Sequence, residues 1–75
     1  MTNTAVLKEV MNKSGFRLQF IAEKCGLTYQ GLMNKVNNHT AFNAPEIKAL
    51  RNLLNLSPEE AEEIFFASDV DDLST

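Results

Sequence analysis

The sequence has no tryptophan, one cysteine, one histidine, two prolines and three glycines in 75 residues, and its acids outnumber its cations ten to seven. Each shortage excludes something. A lone Cys25 cannot build an internal disulfide framework, which points to a reducing cytoplasm. His39 has no second histidine or exposed cysteine at ligand spacing, so it reads as a loop residue and not as a metal ligand. No Ser/His/Asp set, no pair of buried carboxylates and no phosphate loop can be assembled. An enzyme is therefore not expected, nor are a cofactor or a small-molecule substrate. No apolar run is long enough for a signal peptide or membrane span. No repeat or low-complexity segment is present.

The shortage of positive charge is uneven. Residues 1–56 hold all seven cations (Lys8, Lys13, Arg17, Lys24, Lys35, Lys48 and Arg51) against three anions, a balance of +4. Residues 57–75 hold seven anions and no cation, a balance of −7. A mildly basic body followed by an acidic end does not exclude a surface facing nucleic acid.

What is present is helical apolar spacing, with glycine and proline falling between segments. The first helix is expected over about residues 4–14, with Leu7, Val10 and Met11 on its stripe and Ser14-Gly15 at its end. A second covers about 18–25, where Leu18, Ile21, Ala22 and Cys25 share a face and Phe16 is placed to staple onto Ile21. Gly26 suits the left-handed position just past a helix end. Thr28 then caps a third helix over about 29–37, with Leu27 and Leu32 as a staple pair. Asn43, Pro45 and Glu46 start a fourth helix as a capping box, with Phe42 stapled to Ile47 and Leu50, Leu53 and Leu54 on its apolar face. Ser57, Pro58 and Glu60 start a fifth, whose Glu59 and Glu60 suit the positive end of the helix dipole. Phe16, Phe20, Phe42, Phe65 and Phe66 are the large core candidates. The expected fold is all-α, a compact bundle of five short helices over residues 1–67, with residues 68–75 as an acidic, disordered tail.

A helix, a tight glycine turn and a second helix form the layout of a DNA-binding helix-turn-helix. Ala22, four residues before Gly26, leaves room where two crossing helices approach, and Ile21, Cys25, Leu27 and Leu32 supply contacts between them. With flanking helices on both sides, residues 4–66 resemble the lambda-repressor-like family of phage Cro and repressor proteins, the XRE-type helix-turn-helix. The chain departs from the family pattern at Lys35, where the family usually has an apolar residue three after the Leu32 position. Val36, one residue later, lies about 40° from Leu32 and restores an inward stripe. Lys35 then flanks the core, its stem packed and its amine reaching water or phosphate.

With Leu32 and Val36 inward, Gln30, Asn34 and Asn37 project almost opposite, and Tyr29 and Met33 lie on one shoulder. Amides pair with adenine in the major groove, and Met33 or the Tyr29 ring can touch a thymine methyl. The resemblance implies base contacts from the first positions and the sixth of the third helix, which makes Tyr29, Gln30, Met33 and Asn34 the expected readers. Arg17 and Gln19, at the start of the helix that the family lays across the backbone, are expected on phosphates. Thr28, Lys35, Asn38, His39, Thr40 and Asn43 complete that set. Gly31 sits mid-helix at a cost of about 1 kcal/mol relative to alanine; close approach to a neighbour and simple tolerance both explain it.

The resemblance also implies pairing of two copies through the C-terminal region, so Ile64, Phe65 and Phe66 are the expected dimer interface, with one phenylalanine in the core and the other outward. The function expected is a sequence-specific transcription regulator of the Cro or repressor kind, phage- or prophage-encoded, reading a palindromic operator in double-stranded DNA as a homodimer. The alternative is a protein-interaction module, an antitoxin for example, that keeps the fold without specific DNA binding. The acidic end and the low cation count favour that alternative.

Overall fold

Local caps set the boundaries of five helices in the computed structural model, which describes residues 2–66. They are α1 (Thr4–Ser14), α2 (Leu18–Lys24), α3 (Tyr29–Val36), α4 (Ala44–Leu53) and α5 (Pro58–Phe65), with no strand among the described residues. The fold is all-α, as expected. Residues 68–75, expected as an acidic tail, lie outside the described residues.

Four of the five N-termini are closed by side chains. Asn43 and Ser57 both form reciprocal boxes, with Glu46 and Glu60 reaching back to the cap amides. Thr28 Oγ1 accepts from the Gly31 amide at 3.0 Å, and Asn3, which the sequence reading did not single out, caps α1. Each such cap satisfies a backbone donor that has no partner inside the helix and is worth about 1 kcal/mol.

Three helices end in the same way. The Leu27 amide donates to Ala22 O and the Gly26 amide to Glu23 O, with Gly26 at φ +74°. This pair of bonds, closing around one left-handed residue, stops α2 and satisfies its last carbonyls. At the end of α3 the left-handed residue is Asn38 (φ +65°), and His39 donates to Asn34 O. At the end of α4 it is Asn55, followed by Leu56 donating to Arg51 O. Asparagine tolerates this conformation better than any other residue except glycine.

The core gathers the stripes of all five helices: Leu7, Met11, Ile21, Ala22, Leu32, Val36, Leu50, Leu56, Ala61, Ile64 and Phe65. Val10, Leu18, Cys25, Leu53 and Leu54 pack against its rim. Of the five phenylalanines that were core candidates only Phe65 is buried, and Phe66 is the outward member of the Phe65–Phe66 pair. Phe42 is half-buried and meets Phe65 edge-on at 5.6 Å. Phe16 and Phe20 are exposed, their rings 5.1 Å apart, so Phe16 lies on Phe20 where a staple onto Ile21 was expected. Ile21 and Ala22 already fill the inward face of α2, which leaves no room on that stripe for Phe20.

Asn38 also joins the end of α3 to the start of the chain. Its Nδ2 donates to Thr2 O and Thr4 Oγ1, and its Oδ1 accepts from the Thr2 amide. Thr4 Oγ1 in turn donates to Val36 O at 2.6 Å. Asn38→Gly keeps the backbone conformation but removes this clasp, and should destabilise by about 1–3 kcal/mol. Asn38→Ala should cost about 1 kcal/mol more, because alanine must also enter the left-handed region. Urea denaturation of the two variants measures both terms.

Candidate nucleic-acid interface

The α2–α3 connection decides which face of α3 reaches solvent. Gly26 reverses the chain without steric cost, and no heavy atom lies within 4 Å of where its Cβ would sit. Two residues later Thr28 restarts the helix. Leu32 and Val36 are fully buried, so the opposite side of α3 must face outward. On that side Tyr29, Gln30 and Asn37 are exposed and Asn34 is half-buried. Gln30 Nε2 donates to Asn34 Oδ1 at 3.0 Å. One turn apart, the two amides act as a unit and leave Gln30 Oε1 as an acceptor and Asn34 Nδ2 as a donor. A donor and an acceptor side by side on an exposed helix face match the edge of an adenine.

Met33, placed by the sequence reading with these four-residue readers, is half-buried and lines a groove with Met11, Phe16, Leu18 and Val36. It lies on the shoulder of α3 that turns toward α1 and α2. Gly31 now has a local reason. A Cβ there would sit 3.1 Å from Thr28 Oγ1, so glycine leaves space for the cap that starts the helix.

The expected phosphate set divides in two. Arg17, Gln19, His39 and Thr40 are exposed. Arg17 stands at the N-cap of α2 with no side-chain capping bond. Thr28 is exposed, and while its oxygen accepts from Gly31 its hydroxyl proton is free to donate. Three residues have internal partners: Lys35 and Asn38 are half-buried, while Asn43 is exposed and commits only its side-chain oxygen. Asn38 holds Thr2 and Thr4. Asn43 gives its side-chain oxygen to the Glu46 amide. Lys35 Nζ lies 2.6 Å from Glu46 Oε1, the two side chains retaining only 17% and 9% of their accessible surface. The expectation that Lys35 reaches phosphate is therefore corrected: a carboxylate from α4 claims its ammonium. Sequence reading identified both residues, Lys35 beside the core and Glu46 in a capping box, but not that they meet.

Glu46 is the one buried charged residue among the described positions. Its Oε1 accepts from Lys35 and also from the Asn43 amide at 3.0 Å. Burial pushes its carboxyl pKa up, but the hydrogen bonds from Lys35 and Asn43, together with the Lys35 charge, outweigh burial and hold it below the ordinary value. Burial raises the neighbouring Cys25 thiol, and the Glu46 charge raises it further. That keeps Cys25 a neutral thiol and argues against a nucleophile.

The remaining charges are modestly arranged. Lys13 and Glu9 pair at 3.4 Å on the surface of α1, an exposed contact of little energetic value. Lys24 sits 5.3 Å over the Phe20 ring. Lys8, Arg17, Lys48 and Arg51 form no ion pair among the described residues. No group of three or more His, Cys, Asp or Glu suited to a metal is found among them either. No described helix is long and apolar enough to cross a membrane.

Of the expected interface residues, Ile64 and Phe65 are buried in the protein's own core and only Phe66 is open, at 45% exposure. The three residues are consecutive, so they cannot share one face of α5. Phe66 borders shallow apolar surface formed with Ile47, Arg51 and Pro58. The pairing surface expected over Ile64, Phe65 and Phe66 is thereby reduced to Phe66. No family model, curated protein or solved structure matches the chain.

Because the native Glu46 carboxyl is held below its ordinary value of 4.5, the unfolded chain binds this proton first as pH falls. The group's contribution to stability is complete above the unfolded value and disappears as pH drops through the lower native one. Glu46→Gln should cost up to about 3 kcal/mol at neutral pH, where it leaves the Lys35 ammonium unpaired. The gap between wild type and variant should narrow as pH falls through 4.5 and close once the native carboxyl is itself protonated. Urea midpoints measured across that fall in pH test this.

Proposed function

We propose that the protein is a sequence-specific DNA-binding regulator of the small Cro or repressor kind, placing α3 in the major groove. The observation that carries this reading is the coupled Gln30–Asn34 pair on the outward face of a helix whose opposite face is fully buried. Tyr29, 48% exposed at the start of α3, adds a ring and hydroxyl to the same surface. Arg17, Gln19 and Thr28 precede it, and His39 and Thr40 follow it, as neutral and cationic groups suited to the phosphates on either side. An α-helix with short polar side chains fits a groove about 12 Å wide.

Phosphate contacts supply much of the affinity of such proteins, and one copy offers few. Two copies related by a two-fold axis double them and place the two α3 helices roughly 34 Å apart on a palindromic site. Phe66 is the residue available to join the copies, with Ile47 and Arg51 beside it.

A second reading has its own observation. Phe16, just before α2, and Phe20, on it, expose a pair of tilted rings in contact, and exposed aromatic surface of this kind favours protein partners. An interaction module would bind every duplex alike and lose its partner on changes at those two rings.

Selection of bound sites from a random duplex pool should return a palindrome. On the selected site Gln30→Ala and Asn34→Ala should each weaken binding by about 1–3 kcal/mol and relax preference at one base pair per half-site. Arg17→Ala should weaken all duplexes alike and lower the salt slope by about one per copy. Selection of no consensus, or unchanged affinity in both amide variants, would reject the reading. Phe66→Asp should convert a dimer to a monomer in sedimentation without altering the helical circular dichroism spectrum.

A further inference from the structure

We propose that the Lys35–Glu46 ion pair is a positioning device that fixes the rotation of α3 about its own axis, and so determines which base edges its amides meet. The inference rests on the DNA-reading proposal and specifies how that site is held in register.

Three features of the pair support it. First, it joins the last turn of α3 to the first turn of α4, two helices connected by the loop from Asn37 to Asn43. Second, it is off the helix axis. Taking the Leu32 direction as reference, Lys35 lies about 60° to one side, while Gln30 and Asn34 lie about 160° away on the far side. A shift at Lys35 therefore turns the amides by the same angle. Third, it is directional where the rest of the inner face is not. Burial of Leu32 and Val36 decides which side of α3 faces the core, but the apolar burial that does so is non-directional and sets the angle only broadly. The ammonium–carboxylate bond fixes a point on the flank.

The other ties on α3 act elsewhere. Thr28 and the Gly26 turn fix its start, and the Thr4 bond to Val36 O with the Asn38 clasp fixes its end. Those contacts lie at the two ends of the helix and locate its axis. The Glu46 carboxylate is itself held by the Asn43 amide on the same oxygen, so it presents a fixed target. A buried ion pair is a weak source of net stability compared with apolar packing. Its proposed role is therefore orientation and not net stability.

The experiment uses the full chain, its selected duplex and a random duplex, with four proteins: wild type, Lys35→Met/Glu46→Gln, Lys35→Met and Lys35→Arg. Glutamine can still accept from the Asn43 amide, so the double variant keeps the cap while losing both charges. Preference for the selected over the random duplex should fall about tenfold or more in the double variant, the scale of losing one base contact. The salt slope should stay the same, because no phosphate contact is removed. Residual dipolar couplings of the free protein should show α3 rotated against α4. Lys35→Arg, which preserves the pair, should retain both the preference and the couplings.

Unchanged preference or unchanged couplings in the folded double variant overturns the positioning role, and Lys35→Met serves the same test if the double variant does not fold. A salt slope lowered by about one assigns Lys35 to phosphate and also overturns it. If wild type binds all duplexes alike, the DNA-reading proposal fails by itself, and the dipolar couplings alone then decide the positioning claim.

Discussion

The carboxylate of Glu46 sits where two demands meet. As the third residue of α4 it must reach back to the Asn43 amide, and as a buried charge it needs a counter-charge. The last turn of α3 supplies one through Lys35. One oxygen answers both donors, and the carboxyl stays ionised despite its burial. Remove the charge and the ammonium is left in a setting that exposes little of it; remove the side chain and α4 also loses the return half of its capping box. The loop from Asn37 to Asn43 is thus closed by a side-chain bridge spanning 11 positions in sequence. Through it the placement of α3 depends on where α4 begins.

The ends of α3 are handled with equal economy. Left-handed residues at Gly26 and Asn38 stop α2 and α3, each with the following amide folded back onto a carbonyl five residues earlier. Such endings leave no stray backbone donor or acceptor in the short connections, which lets the helices follow one another within a few residues. Short connections in turn force neighbouring helices to pack, and packing selects the inward stripe. The outward face of α3 follows from that sequence of constraints, since Leu32 and Val36 occupy the inside.

Most of the architecture was legible in the sequence, because caps and turns are local. Asn43-Pro45-Glu46, Ser57-Pro58-Glu60, Gly26 and Thr28 act within four residues, and each stands where it was expected. What could not be read depends on approach in three dimensions. Nothing near Lys35 announces Glu46, and nothing near Asn38 announces Thr2 and Thr4, more than thirty residues away. Asn38 and Asn55 could have been suspected as left-handed terminators, since asparagine is the usual substitute for glycine there. Phe16 and Phe20 were misjudged as core candidates for a different reason, one that Phe66 illustrates too. Hydrophobicity states a preference for burial, whereas helical phase states whether a position can be buried. By phase Phe20 falls beside the inner stripe of α2, and Phe66 lies past the last buried position of α5.

The internal engagement of Lys35, Asn38 and Asn43 changes the balance of forces available to a DNA reader. Of the exposed residues expected on phosphates, Arg17 alone carries a full positive charge. Counterion release scales with the number of phosphates neutralised, at about 0.9 per contact in the salt slope. One copy therefore draws little affinity from charge, and the acidic balance of residues 57–75 adds a long-range repulsion from the DNA. Under the DNA-reading proposal the amide pair must then supply a larger share of the discrimination than it would in a strongly basic protein. Amide-to-base bonds are more sensitive to orientation than a charge beside a phosphate. Under that proposal such a reader gains less from additional cations than from a helix held at a fixed rotation, which is the role proposed for the Lys35–Glu46 pair.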